Sequence, residues 1–168
     1  MRVLVSDTSV LIDLERGMLL EAAFRLPYEF VVPDLLYKRE LRDLNGYQLQ
    51  KLGLHVADLD DQGVAKALLY RTKEPALSLA DAFAISLAQA HGCVLLTSDQ
   101  ALRRLANEEH LSCHGVLWVF DQMHHLGIAS TQALQEGLSN ISAHSRCRLP
   151  ALEVKEKIRI YSLNKGAA

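Results

Sequence analysis

Met1-Arg2-Val3-Leu4-Val5-Ser6-Asp7-Thr8-Ser9-Val10-Leu11-Ile12-Asp13-Leu14 opens the chain, and its reading decides the fold. Val3 to Val5 is an unbroken apolar, β-branched run of the kind found in strands buried on both faces of a parallel sheet. Thr8-Ser9 then begins a helical pattern, so strand gives way to helix at Asp7. A carboxylate at the carboxyl end of a buried strand faces the crevice where open α/β sheets bind ligands. Taken alone, Asp7 or Ser9 reads more readily as a cap of the following helix. The role of Asp7 turns on whether other acids join it.

The chain has 168 residues and is 49% hydrophobic, enough for one domain with a substantial core and too little for two typical ones. No apolar run approaches the length needed to cross a bilayer, and Arg2 leads straight into a strand without the regions of a secretory signal. A soluble, cytoplasmic protein is expected. Cys93, Cys113 and Cys147 are odd in number and lack Cys-x-x-Cys spacing, which argues against a disulfide framework or a thiolate zinc site. The net charge of −2 conceals an asymmetry. Residues 1–145 carry 12 Lys+Arg against 18 Asp+Glu, whereas residues 146–168 carry 6 against 2. An acidic body with a basic end can meet a phosphate backbone or an acidic partner, or the end can be a solvated helix.

Helical spacing runs through Val10, Leu11, Leu14, Met18 and Leu19 until Leu26-Pro27. Glu29 to Val32 predicts a second strand, and Pro33 suits the start of a helix that carries Leu36, Glu40 and Asp43 on neighbouring turns. From there Glu40 can lean back over the end of the first strand; without a partner motif it is an exposed helix acid. Leu54 to Leu59 alternates like an edge-side strand, residues 61–71 predict a helix, and 72–76 a loop. Ser78 to Ala88 predicts a helix of small residues ended by His91-Gly92. Ser78-x-x-Asp81 resembles a capping box, yet its surroundings pack the first turn inside the fold, where an acid is costly without a metal or donor. Gly92 to Thr97 is a second buried strand, ending in Thr97-Ser98-Asp99 before another helix, with Ser98 available to help cap it. A short strand near His114–Val116 and a helix through Val119, Phe120, Met123 and Leu126 to Gly127 follow. Two amphipathic helices close the chain: one from Ser130 with Leu134, Leu138 and Ile141 on one face, and one from Pro150 with Val154, Ile158 and Tyr161.

In a doubly wound sheet with adjacent buried strands, Asp7 and Asp99 share one pocket, and Glu40 and Asp81 can reach the same end. At about 4 Å each pair of anions costs roughly 1 kcal/mol in water and several times more when partly buried, so such a cluster calls for protons or divalent cations. Carboxylate oxygens match magnesium or manganese, and the histidines show no zinc spacing. A hard metal with open positions activates water and stabilises charge on a phosphodiester oxygen, which is nuclease chemistry. Ser9 and Thr97 would be supporting hydroxyls, orienting Asp7 and Asp99. No Gly-x-Ser-x-Gly elbow, P-loop or dinucleotide glycine pattern occurs. A receiver-type phosphoaspartate domain fails because no second acid stands two residues after Asp7 and no lysine ends the later strands.

Taken together, these residues resemble the PIN-domain ribonucleases, of the kind that act as VapC-like toxins in bacterial toxin–antitoxin pairs. The likeness rests on Val5-Ser6-Asp7-Thr8-Ser9-Val10-Leu11-Ile12, on Pro33 with Glu40-Leu41, on Ala80-Asp81-Ala82 and on Leu95-Leu96-Thr97-Ser98-Asp99. The resemblance covers residues 1–126 and implies a three-layer α/β/α sandwich with a five-stranded parallel sheet; residues 127–168, beyond it, are expected as a C-terminal helical extension packed on the same domain. It implies Mg2+- or Mn2+-dependent endonucleolytic cleavage of RNA, with Asp7, Asp81 and Asp99 as principal metal ligands and Glu40 as a further ligand or water-orienting base. A small antitoxin partner and a homodimer are also implied. Some members carry a further acid after the fourth motif, where this chain has Leu102 and Arg103. The competing expectation is a noncatalytic member of the fold that binds RNA or protein.

Overall fold

The computed structural model describes residues 1–163; Lys165 of the basic end, and the last part of the 127–168 segment, lie outside them. The opening run forms β1 (Arg2–Val5), the middle strand of a five-stranded parallel sheet. On one side of it lie β2 (Glu29–Pro33) and the edge strand β3 (His55–Ala57), on the other β4 (Val94–Leu96) and the edge strand β5 (Cys113–His114). Val3, Val5, Val31, Val32, Leu95 and Leu96 are buried, which is why these strands read as apolar runs rather than alternations. The wetter edge expected after Leu54 is β3, where His55 is exposed and Val56 and Ala57 are half-buried. Val5 stands beside Leu96, and Leu96 beside His114. The chain builds outward from β1 to β3 and then returns to the far side of β1. The ends of β1 and β4 therefore form the switch point at which such sheets open a crevice.

The structure comprises two compact units, Met1–Val10 with Pro27–Gly115, and Leu11–Leu26 with the residues from Val116 onward. Helix α1 (Thr8–Arg16) follows β1, and α2 (Leu20–Phe24) follows it. The predicted helical run forms in two pieces, interrupted at Met18. Met18 adopts φ +57° and is exposed, while the Leu19 amide donates to the Leu14 carbonyl and the Met18 amide to that of Glu15, both at 2.9 Å. This is the hydrogen-bond pair of a Schellman stop, with methionine where glycine is usual.

In the first unit, α3 (Asp34–Leu36) runs into a π-helical turn, Tyr37–Leu41, and α4 (Gly46–Leu52) precedes β3. Pro33 ends β2 and caps α3, one position earlier than its expected place at the head of the helix. Helix α5 (Asp61–Lys73) extends beyond the expected stop into the predicted loop, and α6 (Leu79–His91) ends at Gly92, φ +61°, as the His91-Gly92 pair suggested. With α7 (Gln100–Glu108) they cover a core of Val31, Ile85, Leu87, Leu95, Leu102 and Leu105. Each such side chain contributes roughly 1.5–3 kcal/mol by leaving water. Ala82, Ala84 and Ala88 are wholly buried, so α6 packs through small side chains. Cys93 is buried, just ahead of β4 rather than within it.

The second unit holds α8 (Val116–His125), α9 (Thr131–Ala143) and α10 (Ala151–Leu163). The face predicted for α9, Leu134, Leu138 and Ile141, is fully buried. On α10, Val154 and Tyr161 are buried and Ile158 is half-buried. Gly137 is needed for close approach: a Cβ there would lie 2.6 Å from Leu19 Cδ1 and 2.9 Å from the Gly17 carbonyl. Among the described residues, no helix is long and apolar enough to cross a membrane.

Candidate active site

Asp7 leaves the sheet just past the end of β1, after the Ser6 amide has donated to the Leu96 carbonyl at 3.1 Å. Its two oxygens are divided. Oδ1 accepts from the Ser9 amide at 2.8 Å and from the Ser9 hydroxyl, which caps the amino end of α1. Oδ2 accepts from the Ser98 amide (3.2 Å), the Ser98 hydroxyl (3.0 Å) and the Thr97 hydroxyl (3.3 Å). The half-buried carboxylate is thus fixed across the switch point by the strand next door.

Thr97 is completely buried, and its hydroxyl joins two of the acids: it donates to Asp7 and accepts the Asp99 amide at 3.1 Å. Asp99 is the N-cap of α7, its Oδ1 taking the Leu102 amide at 2.7 Å. Asp81 sits in the first turn of α6 within a full capping box: its amide donates to the Ser78 hydroxyl at 3.0 Å, and its Oδ2 accepts from the Ser78 amide and hydroxyl at 3.2 and 2.5 Å. Burial pushes the Asp81 carboxyl above its ordinary range, the Ser78 hydrogen bonds oppose that, and the charges of Asp99 and Asp7 push it further up. Those last two causes put Asp7, Asp81 and Asp99 within one electrostatic neighbourhood. Glu40 stands apart from that set. It is exposed on the π-helical turn, and its Oε2 accepts from the Thr8 hydroxyl at 2.8 Å, next along the chain from Asp7.

The donor chemistry fits a hard divalent cation, since every acid offers carboxylate oxygen. The geometry is not a closed ligand set: among the described residues, no group of three or more His, Cys, Asp or Glu side chains is arranged to hold a metal ion. Each acid instead faces donors at the start of its own or a neighbouring helix.

Three contributors escaped the sequence reading. Ser98, expected to help cap a helix, gives both of its donors to Asp7. Thr8 tethers Glu40. Arg103 is half-buried and donates from Nη2 to the Thr97 carbonyl at 2.8 Å. His114 is held below the usual imidazole range, first by burial and then by the charge of Arg103. For Ser98, the polar residue between Thr97 and Asp99 was a usable signal; the other two depend on contacts from distant segments. A pocket of about 280 Å³ opens elsewhere, at the amino ends of the strands, between Arg2, Glu29, His55, His91 and Cys93. It contains none of the four acids.

The sequence of residues 3–162 matches the family model DUF3368, described as a PIN domain. No curated protein matches significantly. Among solved structures, the fold is similar to a PilT N-terminus domain protein from the hyperthermophilic archaeon Sulfolobus solfataricus, with a TM-score of 0.50, 13% identity, and coverage of 71% of this chain and 90% of that one. A toxin–antitoxin complex from Klebsiella pneumoniae aligns with a TM-score of 0.44 and 21% identity over 58% of this chain and 86% of that one. The archaeal likeness concerns the fold alone. The family match spans nearly the whole chain, including the C-terminal helices, and by it this protein belongs to the PIN-domain family, whose members are generally nucleases.

Proposed function

We propose that the protein is a metal-dependent endoribonuclease that hydrolyses RNA phosphodiester bonds, and that it is the toxin of a toxin–antitoxin pair, cytoplasmic and homodimeric. The observation that carries the nuclease reading is the anchoring of Asp7. A half-buried carboxylate at the switch point takes three hydrogen bonds from Thr97 and Ser98 of the adjacent strand end, while Asp81 feels the charges of both Asp7 and Asp99. Asp7, Asp81 and Asp99 would hold a Mg2+ or Mn2+ ion. When bound, such a cation supplies activation of water and offsets the charge that builds on the phosphodiester oxygens. Thr97 and Ser98 keep Asp7 in place, and the buried Thr97 hydroxyl sets the backbone of Asp99. Glu40, exposed and tethered by Thr8, orients the attacking water and accepts its proton. The bond from phosphorus to the leaving sugar oxygen then breaks, and that oxygen takes a proton from solvent.

The toxin role and the small antitoxin rest on the resemblance of the four motifs. Purified protein should cut one or more members of a panel of end-labelled structured RNAs in manganese, stop in EDTA, and lose cleavage on Asp7→Asn. Full activity in that variant would sink the site assignment. A short, charged reading frame adjoining this one, whose product co-purifies and blocks cleavage, is the result expected for the toxin role. A second reading, a noncatalytic RNA- or protein-binding PIN domain, is favoured by the lack, among the described residues, of a closed metal-ligand group. Millimolar manganese separates the two: an ion that binds only the folded state raises its unfolding temperature, and no shift would favour the noncatalytic domain.

A further inference from the structure

The carboxyl ends of β4 and β5 carry a cation that the acid cluster does not engage. Arg103 reaches from α7 to the Thr97 carbonyl at 2.8 Å. Opposite it stands Gly115, the residue after β5. A Cβ on Gly115 would lie 2.6 Å from Arg103 Nη2, so the guanidinium occupies the volume a side chain would fill. The Thr97 amide donates to the His114 carbonyl at 2.9 Å, which makes the seat from two paired strand ends. Among the described residues the Arg103 side chain makes no ion pair, and its one hydrogen bond is to that backbone carbonyl. A guanidinium has five N–H donors in a rigid fork, so most remain available. Half-burying a charge without an anion is unfavourable, and an arriving phosphate would offset that cost with paired, charge-assisted hydrogen bonds.

We infer that Arg103, seated over Gly115, binds a phosphate of the RNA strand that flanks the bond being cut. The position sets which phosphate. Neighbouring strands are about 4.8 Å apart, so the end of β5 lies roughly 10 Å from the end of β1 that presents Asp7. That is too far to share the scissile phosphodiester with Asp7, and suits one further along the same strand. The substrate would then cross the sheet from β1 over β4 toward β5. The inference rests on the proposal that this end of the sheet meets RNA.

The test measures binding of a labelled single-stranded RNA oligonucleotide to the full chain in EDTA, across several salt concentrations. Arg103→Gln should bind roughly tenfold more weakly, the loss expected for charged hydrogen bonds, with a log–log salt slope shallower by about 0.7, as for one phosphate contact. Arg103→Lys, which keeps the charge but not the fork, should fall between the two. Gly115→Ala, which displaces the guanidinium while leaving it in the chain, should also weaken binding, and it serves where Arg103→Gln folds poorly. Wild-type affinity and slope in folded Arg103→Gln would overturn the inference. So would Arg103-dependent binding of polyglutamate without any effect on RNA, which would mark the seat as a protein contact. If the wild type binds RNA in an Arg103-dependent way but cuts none in manganese, the phosphate site stands and the nuclease reading falls; if it cuts RNA in manganese but binds none in EDTA, the phosphate site falls and the nuclease reading stands.

Discussion

Asp99 has two jobs in this structure, and a pair of substitutions separates them. As N-cap, its Oδ1 takes the Leu102 amide at 2.7 Å; as an anion, it adds to the field that raises the Asp81 carboxyl. Asn caps about as well as Asp, whereas Ala removes the cap at a typical cost of about 1 kcal/mol. In a chain of 168 residues that corresponds to a fall of about 2–4 °C in Tm. Losing the charge has opposing effects: the α7 dipole loses a favourable anion, worth about 0.3–1 kcal/mol, while Asp81 loses a repelling neighbour. Asp99→Asn should therefore unfold within about 1–2 °C of wild type in metal-free buffer at pH 7. Asp99→Ala should unfold about 2–4 °C lower. Both should lose RNA cleavage, and both should lose most of any manganese-induced rise in Tm. Thermal unfolding with and without manganese, alongside a cleavage assay, reads all of these outcomes. Equal destabilisation of Asn and Ala variants would refute the neutral-cap argument. Cleavage or a full manganese shift in Asp99→Asn would refute its place in the metal site.

Asp81→Asn tests the buried charge through pH. A native carboxyl raised above its usual 3.8 favours folding fully only below that value, and this contribution is lost as pH rises through the native pKa. In metal-free buffer the stability of Asp81→Asn relative to wild type should thus rise with pH above 3.8 and then level off; a difference independent of pH would count against the assignment. Gly137→Ala forces a methyl against Leu19 and the Gly17 carbonyl and should cost about 1–3 kcal/mol, measured by urea unfolding. Tyr161→Phe removes a buried hydroxyl with no hydrogen-bond partner among the described residues, so it should be neutral or stabilising by up to about 1 kcal/mol; a loss of more than that would reveal a partner for the hydroxyl.

The sheet was legible because its inner strands are buried on both faces. Val3, Val31 and Leu95 have no wet side to interrupt an apolar run, and Asp7 and Asp99 mark where two of those runs stop. The helices of the second unit were legible for the complementary reason: Leu134, Leu138 and Ile141 repeat at helical spacing because one side of α9 is buried. Backbone events without a compositional trace were missed. Met18 stops α1 at a position where glycine would have announced the turn. The π-helical turn looks like an ordinary helix in sequence, since one i→i−5 hydrogen bond, Arg42 to Tyr37 at 2.8 Å, needs no special residue. That turn carries Glu40, and single π turns recur at functional sites. Arg103 was invisible for another reason: its seat exists only once Thr97 and Gly115, from separate strands, stand side by side.

From sequence Asp7 and Asp81 divide between two readings, helix cap or ligand, and in the structure Asp99 joins them at a helix start. Asp7 accepts the amide of the second residue of α1, Asp99 caps α7, and Asp81 closes the capping box of α6. The amino ends of these helices are lined with unpaired N–H groups and carry partial positive charge. Each placement offsets part of the repulsion among the three acids, by about 0.3–1 kcal/mol for the dipole and about 1 kcal/mol for the cap. The cluster can therefore fold without a cation. Capping also leaves oxygen to spare: Asp81 places both Ser78 contacts on Oδ2, and Asp99 caps through Oδ1 alone. In this fold an acid that reads as a cap is on that account a better candidate ligand, because the cap is what keeps an anion stable where another anion already stands.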